Sequence, residues 1–137
     1  MSQFLLFRLG EHQGNPLQRL NDSLNFVGTD AEFICVSPVG TCASIIWYKD
    51  NGSSHWISLD SIRPTYDRIG RAKYKTKHHK PDPTFGCRLT VRNVQFIDYG
   101  AFMCEFLHTF KRTAELRVYG KLNNFLCQRI LQRRLYE

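Results

Sequence analysis

Residues 96–104 read FIDYGAFMC, with Asp98, Gly100, Phe102 and Cys104 each two positions apart. Two is the side-chain period of a β-strand, so Gly100, Phe102 and Cys104 project to one face while Tyr99, Ala101 and Met103 project to the other. Phenylalanine and cysteine are core residue types, which makes theirs the inward face. Cys104 therefore needs a partner inside.

On either side the same period recurs. Ala31, Phe33 and Cys35 share one face of AEFIC, and Ile45 and Trp47 share one face of SIIWYK. Asp50-Asn51-Gly52 follows, a strong short-range hairpin signal, and HWISLD resumes the extended pattern. RAKYKTK sets Arg71, Lys73, Lys75 and Lys77 on one face, and the proline-rich KPDPTFG ends it. CRLTVRNV turns Cys87, Leu89 and Val91 inward, and AELRVYG does the same with Ala114, Leu116 and Val118. At least seven short strands punctuated by turns predict an all-β antiparallel sandwich or barrel. From Lys121 the period changes: Leu122, Phe125, Leu126 and Ile130, interleaved with Arg129 and Arg133, predict a basic amphipathic helix. The expected division is a linker arm over 1–20, a sandwich domain over 21–119 and a tail over 120–137.

With 137 residues, 42% of them hydrophobic, the chain is sized for one domain with its own core. No apolar run approaches the roughly 20 residues of a membrane-spanning helix, and the first ten residues make a poor secretory signal. The net charge of +7 is segregated: seven basic residues against Asp67 alone between Arg63 and Lys80, and seven against Glu115 and Glu137 from Lys111 onward. Such fields attract anionic partners, although solvated charge is the commoner role. The five cysteines lack the paired spacings of a zinc site. With the sequons at Asn21-Asp22-Ser23 and Asn51-Gly52-Ser53, candidate glycosylation sites, they point to an oxidising compartment, hence an extracellular or cell-surface location.

Cys35 precedes Trp47 by 12 positions and Cys104 by 69, and all three face inward. That spacing matches the framework of an immunoglobulin-like sandwich, in which a Cys35–Cys104 bridge ties the sheets and the indole of Trp47 packs on it, with Leu89 and Phe102 filling the core around it. Phe102 occupies the place of the usual corner tyrosine, two residues before the second cysteine. Asp98 is left to hold the corner, with Arg68 or Arg71 as its expected cation, and Gly100 to permit close packing. Cys42 and Cys87 fall at one end of such a sandwich, so a second bridge between them fits the topology, although four cysteines allow three pairings. Cys127 is then the odd one.

The runs SLNFVGTDAEFICV, WYKDNGSS and LTVRNVQFIDYGAFMCEF resemble immunoglobulin domains of the I-set, and most of all the membrane-proximal domain of fibroblast growth factor receptors. Val27-Gly28-Thr29-Asp30 matches that family's turn before an extended strand. Arg92, Asn93, Val94, Phe96 and Asp98 match its approach to the second core cysteine. The likeness covers about Leu20 to Tyr119; the extra cysteines and the basic stretch depart from it.

What the resemblance implies is an extracellular recognition domain that binds a protein ligand. Tyr48, His55 and Trp56, on and beside the hairpin, are the expected protein contacts, because large aromatics supply contact area at low entropic cost. Arg68, Arg71, Lys73, Lys75, Lys77 and Lys80 form an expected ladder for a sulfated glycosaminoglycan such as heparan sulfate. The alternative is an adhesion module that self-associates, homophilically or heterophilically. No GxSxG elbow, P-loop, HExxH or kinase signature occurs, and His78-His79 sit in a lysine-rich strand end without an evident nucleophile or paired acid. Neither catalysis, a cofactor nor a metal is expected, and with only Tyr74 among the lysines to stack on a base, neither is nucleic acid.

Overall fold

A computed structural model describes residues 14–38, 42–53, 55–79 and 85–120. Among these residues eight strands form: β1 (Ser23–Phe26), β2 (Ala31–Ser37), β3 (Ile45–Asp50), β4 (Trp56–Ser58), β5 (Tyr74–His79), β6 (Phe85–Val91), β7 (Gly100–Phe106) and β8 (Phe110–Tyr119). They pair as a five-stranded sheet of order β1-β8-β7-β3-β4 and a three-stranded sheet of order β2-β6-β5. All pairings are antiparallel except β1 with β8, which run parallel. The hairpin signal at Asn51-Gly52 joins β3 to β4. The tail beyond Gly120, with Cys127, and Lys80 at the end of the basic stretch lie outside the described residues.

The period-two faces meet between the layers. Phe33, Cys35, Trp47, Leu89, Phe102, Cys104 and Leu116 are buried there. Phe102 stacks on Phe33 with ring centroids 5.2 Å apart, and Phe33 lies 6.4 Å from the ring of Trp47. In place of a corner hydroxyl, this position contributes aromatic packing. Two disulfides close, Cys35–Cys104 across the sheets and Cys42–Cys87, over separations of 69 and 45 residues. On loop-closure entropy each contributes about 4 kcal/mol by restricting the unfolded chain.

The corner differs from expectation. Asp98 is buried at the end of a short 3-10 turn, Phe96–Asp98, but its cations are lysines. Lys73 Nζ donates to Asp98 Oδ2 at 2.6 Å, and Lys49 Nζ lies 3.7 Å from Oδ1. The backbone N–H of Gln95 also donates to Oδ2, at 2.7 Å. Arg71 instead folds back onto Asp67, its Nε donating at 2.7 Å within a tight turn, and Arg68 stays in solvent. The reason is position: Arg68 and Arg71 sit on the exposed loop before β5, whereas Lys73, the last residue before that strand, reaches across to the corner. There its ammonium also donates to the carbonyls of Arg92 and Asn93, at 3.0 and 3.3 Å, so the buried pair has its hydrogen bonds filled. Burial pushes the Lys49 amine below its ordinary value, against the pull of Asp98 and with the push of Lys73, and its Nζ stands 5.7 Å from the centroid of the Phe102 ring.

Two further positions stand out. Within the stretch read as a linker arm, Leu17 and Leu20 are buried in the core, Gln18 donates its N–H to the Val36 carbonyl, and Arg112 Nε donates to the Leu17 carbonyl. Leu17 and Leu20, six and three residues before β1, reach the core from the lead-in to that strand. Gly100 is required for its backbone rather than for close packing, since φ is +146° and nothing lies within 4 Å of an added Cβ. The close approach is at Gly86, where a Cβ would meet the Cys35 carbonyl oxygen at 2.9 Å.

The corner generates two predictions. Lys73→Met leaves Asp98 with only the more distant lysine and lowers stability by about 3 kcal/mol, whereas Arg71→Met at an exposed pair costs under about 1 kcal/mol; urea unfolding of the two variants tests the order. Tyr74, part-buried beside this corner, has its phenol pushed up to about 12, first by desolvation and then by the Asp98 charge. The folded state keeps that proton where the unfolded chain, with an ordinary value of 10.0, has lost it. Stability therefore falls as pH rises between about 10 and 12. Tyr74→Phe is expected to flatten that part of the pH–stability curve, measured by denaturant titration at each pH.

Candidate functional site

The outward face of the five-stranded sheet carries a side-chain network centred on Glu105. In β7 alternation places Met103 and Glu105 outward, yet both are buried, covered by neighbours on β3 and β8. Tyr48 of β3 pairs with Met103 in register and donates its hydroxyl to Glu105 Oε1 at 2.9 Å. Lys111 Nζ lies 3.9 Å from Oε2 and His108 Nδ1 3.5 Å from Oε1. Desolvation, with the Glu105 carboxylate adding to it, pushes the Tyr48 phenol above its ordinary value. A buried carboxylate that accepts the tyrosine hydroxyl and is flanked by Lys111 and His108 fixes the aromatic ring in one orientation, a preorganised contact surface. Glu105, Lys111 and His108 are missing from the sequence-based expectation. The legible signal was a single acid inside the otherwise apolar strand FMCEF.

The hairpin at the edge of this face is ordered by its own polar side chains. Gly52 takes φ +88°, its N–H bonds Asp50 Oδ1 at 2.9 Å, and the N–H and hydroxyl of Ser53 both donate to Asn51 Oδ1. His55 Nδ1 lies 2.8 Å from the Ser53 carbonyl. Trp56, in register with Asp50, remains 40% exposed and projects to the same side as Tyr48. Tyr48 and Trp56 thus project to one side of the sheet, with His55 on the same hairpin. Both sequon asparagines, Asn21 and Asn51, are exposed.

The expected glycan ladder does not assemble as a row of six. Lys73 is drawn into the Asp98 corner and Arg71 is bonded to Asp67. What remains on the edge strand β5 is Lys75 and Lys77, both exposed, with Lys77 in register with Arg88 of β6. Arg88 is itself 3.9 Å from Glu32. Arg68 lies apart on the preceding loop.

Between the sheets, at the side where β4 and β5 do not pair, a cavity of about 210 Å³ is lined by Trp47, Leu59, Asp60, Tyr74 and Thr76 among others. The Trp47 indole N–H has no hydrogen-bond partner among the described residues. Among those residues no group of three or more histidine, cysteine or acidic side chains is placed to hold a metal ion.

No family model and no curated protein matches the chain. Solved structures do. The first immunoglobulin domain of RIG-5, solved as a homodimer, is 25% identical with a TM-score of 0.54, covering 75% of this chain and 95% of that one. The first immunoglobulin domain of mouse polymeric immunoglobulin receptor is 12% identical with a TM-score of 0.57, covering 80% and 99%. The first immunoglobulin domain of mouse SynCAM 2 is 16% identical with a TM-score of 0.53, covering 80% and 100%. The fold is that of an immunoglobulin domain.

Proposed function

We propose that this chain is an extracellular recognition domain that captures a protein ligand through the hairpin side of its five-stranded sheet. The observation that carries this reading is the placing of Tyr48 and Trp56 on one side of the hairpin, with Tyr48 held by the buried Glu105 and His55 on the same hairpin. Exposed tryptophan on a rigid support is the kind of residue that dominates interface energetics. Two disulfides and an immunoglobulin fold fit an extracellular setting. The sequence resemblance to fibroblast growth factor receptors directs the first search toward soluble growth factors. Lys75, Lys77 and Arg88 give the domain a short basic strip, about 7 Å between successive lysines, that suits a sulfated glycosaminoglycan as an accessory ligand.

Self-association is a second reading, favoured by the homodimeric state of the RIG-5 domain at 25% identity. Ligand capture predicts a monomer in sedimentation across concentrations, and self-association predicts mass action.

Binding of a soluble growth factor panel to the immobilised domain is the direct test. Trp56→Ala is expected to weaken the partner it selects by about 30-fold, corresponding to a hot-spot loss of about 2 kcal/mol; binding indifferent to this change and to Tyr48→Ala contradicts the assigned face. On a heparin column, Lys75→Glu with Lys77→Glu is expected to elute at clearly lower salt, and unchanged elution removes the glycan role.

A further inference from the structure

β4 and β5 are edge strands of different sheets, β4 of the larger and β5 of the smaller, and they do not pair with each other. β4 is only three residues long and ends at Ser58, whose hydroxyl accepts the Asp60 N–H and starts a 3-10 turn, Leu59–Ser61. The sandwich is open along this side, and the space left there is the cavity of about 210 Å³.

Its floor and its mouth differ in chemistry. Ile45, Trp47 and Leu89 are buried, and Leu59 and Tyr74 are half-buried, so the inner wall is aliphatic and aromatic. Thr76 and Asp60 are exposed and mark where the cavity meets solvent. Cys42, also in the wall, is bonded to Cys87, which fixes that part of the wall covalently and makes the cavity preformed. A second hollow of about 220 Å³ shares Leu59, Asp60 and Tyr74 with it and continues past Ile62 and Ala72.

Trp47 is 4% exposed, and its indole Nε1 is buried with no hydrogen-bond partner among the described residues. Folding normally satisfies such donors, so one left open on a residue that lines a cavity points to an acceptor that arrives from outside. The lining sets what that acceptor belongs to. An indole N–H only donates, which excludes an ammonium as the group it meets, and the Asp60 carboxylate only accepts, which disfavours an anion. A hydroxyl does both: it accepts from Trp47 and donates to Thr76 or Asp60. A cavity of about 150 Å³ holds benzene, so this one has room for one ring with such a substituent.

We propose that this cavity is a binding site for a small neutral molecule that carries a hydroxyl group on one apolar ring, the ring lying among Leu59, Tyr74 and Leu89 and the oxygen accepting the Trp47 indole N–H. The site is on the inner side of the sheet whose outer face presents Tyr48, the next residue of β3. It is separate from the protein contact of the hairpin and stands whether or not that contact does.

Benzyl alcohol, with toluene as the probe that keeps the ring and lacks the hydroxyl, tests it on the full chain with both disulfides formed. Proton–nitrogen NMR reads the indole N–H signals of the two tryptophans, and Trp56→Phe assigns them. The Trp47 signal is expected to shift saturably with benzyl alcohol, at a Kd of about 1 mM or tighter, and toluene to bind about tenfold more weakly. Nuclear Overhauser contacts from the probe ring are expected on Leu59 and Tyr74. Thr76→Phe, at an exposed edge position, is expected to fill the cavity and weaken benzyl alcohol by about tenfold or more while the amide signals of β2, β7 and β8 are unchanged. Leu59→Trp is expected to do the same from the β4 side, and whichever variant keeps those amide signals decides. No saturable shift of the Trp47 signal overturns the proposal, as do Overhauser contacts confined to the hairpin or to Leu24 and Phe26, and binding that survives the filling variants. Toluene binding as tightly as benzyl alcohol overturns the hydroxyl assignment and leaves an apolar void.

Discussion

Cys35 and Cys87 face each other directly across β2 and β6 in the smaller sheet, yet neither sulfur bonds its neighbour. Cys35 crosses the core to Cys104 on β7, and Cys87 reaches Cys42 in the turn that leads into β3. The smaller sheet is thereby pinned at adjacent points to β7 and to the turn leading into its neighbour β3. Trp47, in register with Cys104, fills the space beside the inter-sheet bridge. With the layers fixed covalently, the larger sheet's outward face and its hairpin are held on a rigid base.

Charge is distributed on that base by a second constraint, the buried carboxylate of Asp98. A desolvated acid must be paired and hydrogen-bonded, and it takes Lys73, Lys49 and a backbone N–H to do so. This selects which basic residues remain available. Lys73 becomes structural, whereas Lys75 and Lys77, two and four positions on, remain in solvent. The same logic operates at Glu105, where an acid covered by its neighbours orients Tyr48.

The period-two stretches were legible because in a sandwich each strand has one buried face, and alternation then writes the core directly into the sequence: Ala31, Phe33 and Cys35, or Ala114, Leu116 and Val118, are all buried. Asn51-Gly52 was legible for a local reason, the need for a positive φ in a tight turn. The ion-pair partner of Asp98 was not legible, because it depends on how the loop before β5 bends, and three cations within six residues offer the same charge. Leu17 and Leu20 escaped because an extended lead-in has no periodicity to read. Glu105 escaped because alternation calls its side outward, and only the covering by Tyr48 and the β8 side chains buries it.

A covalent frame, a paired acid at its corner and an aromatic hairpin on its outer face together fit the protein-recognition role proposed above. The frame is the premise, and peptide mapping of the unreduced protein tests it most directly. The account predicts cross-linked peptides joining residue 35 to 104 and 42 to 87. A peptide joining 35 to 87, the two neighbours in register, would leave β7 untied from the smaller sheet and contradict it.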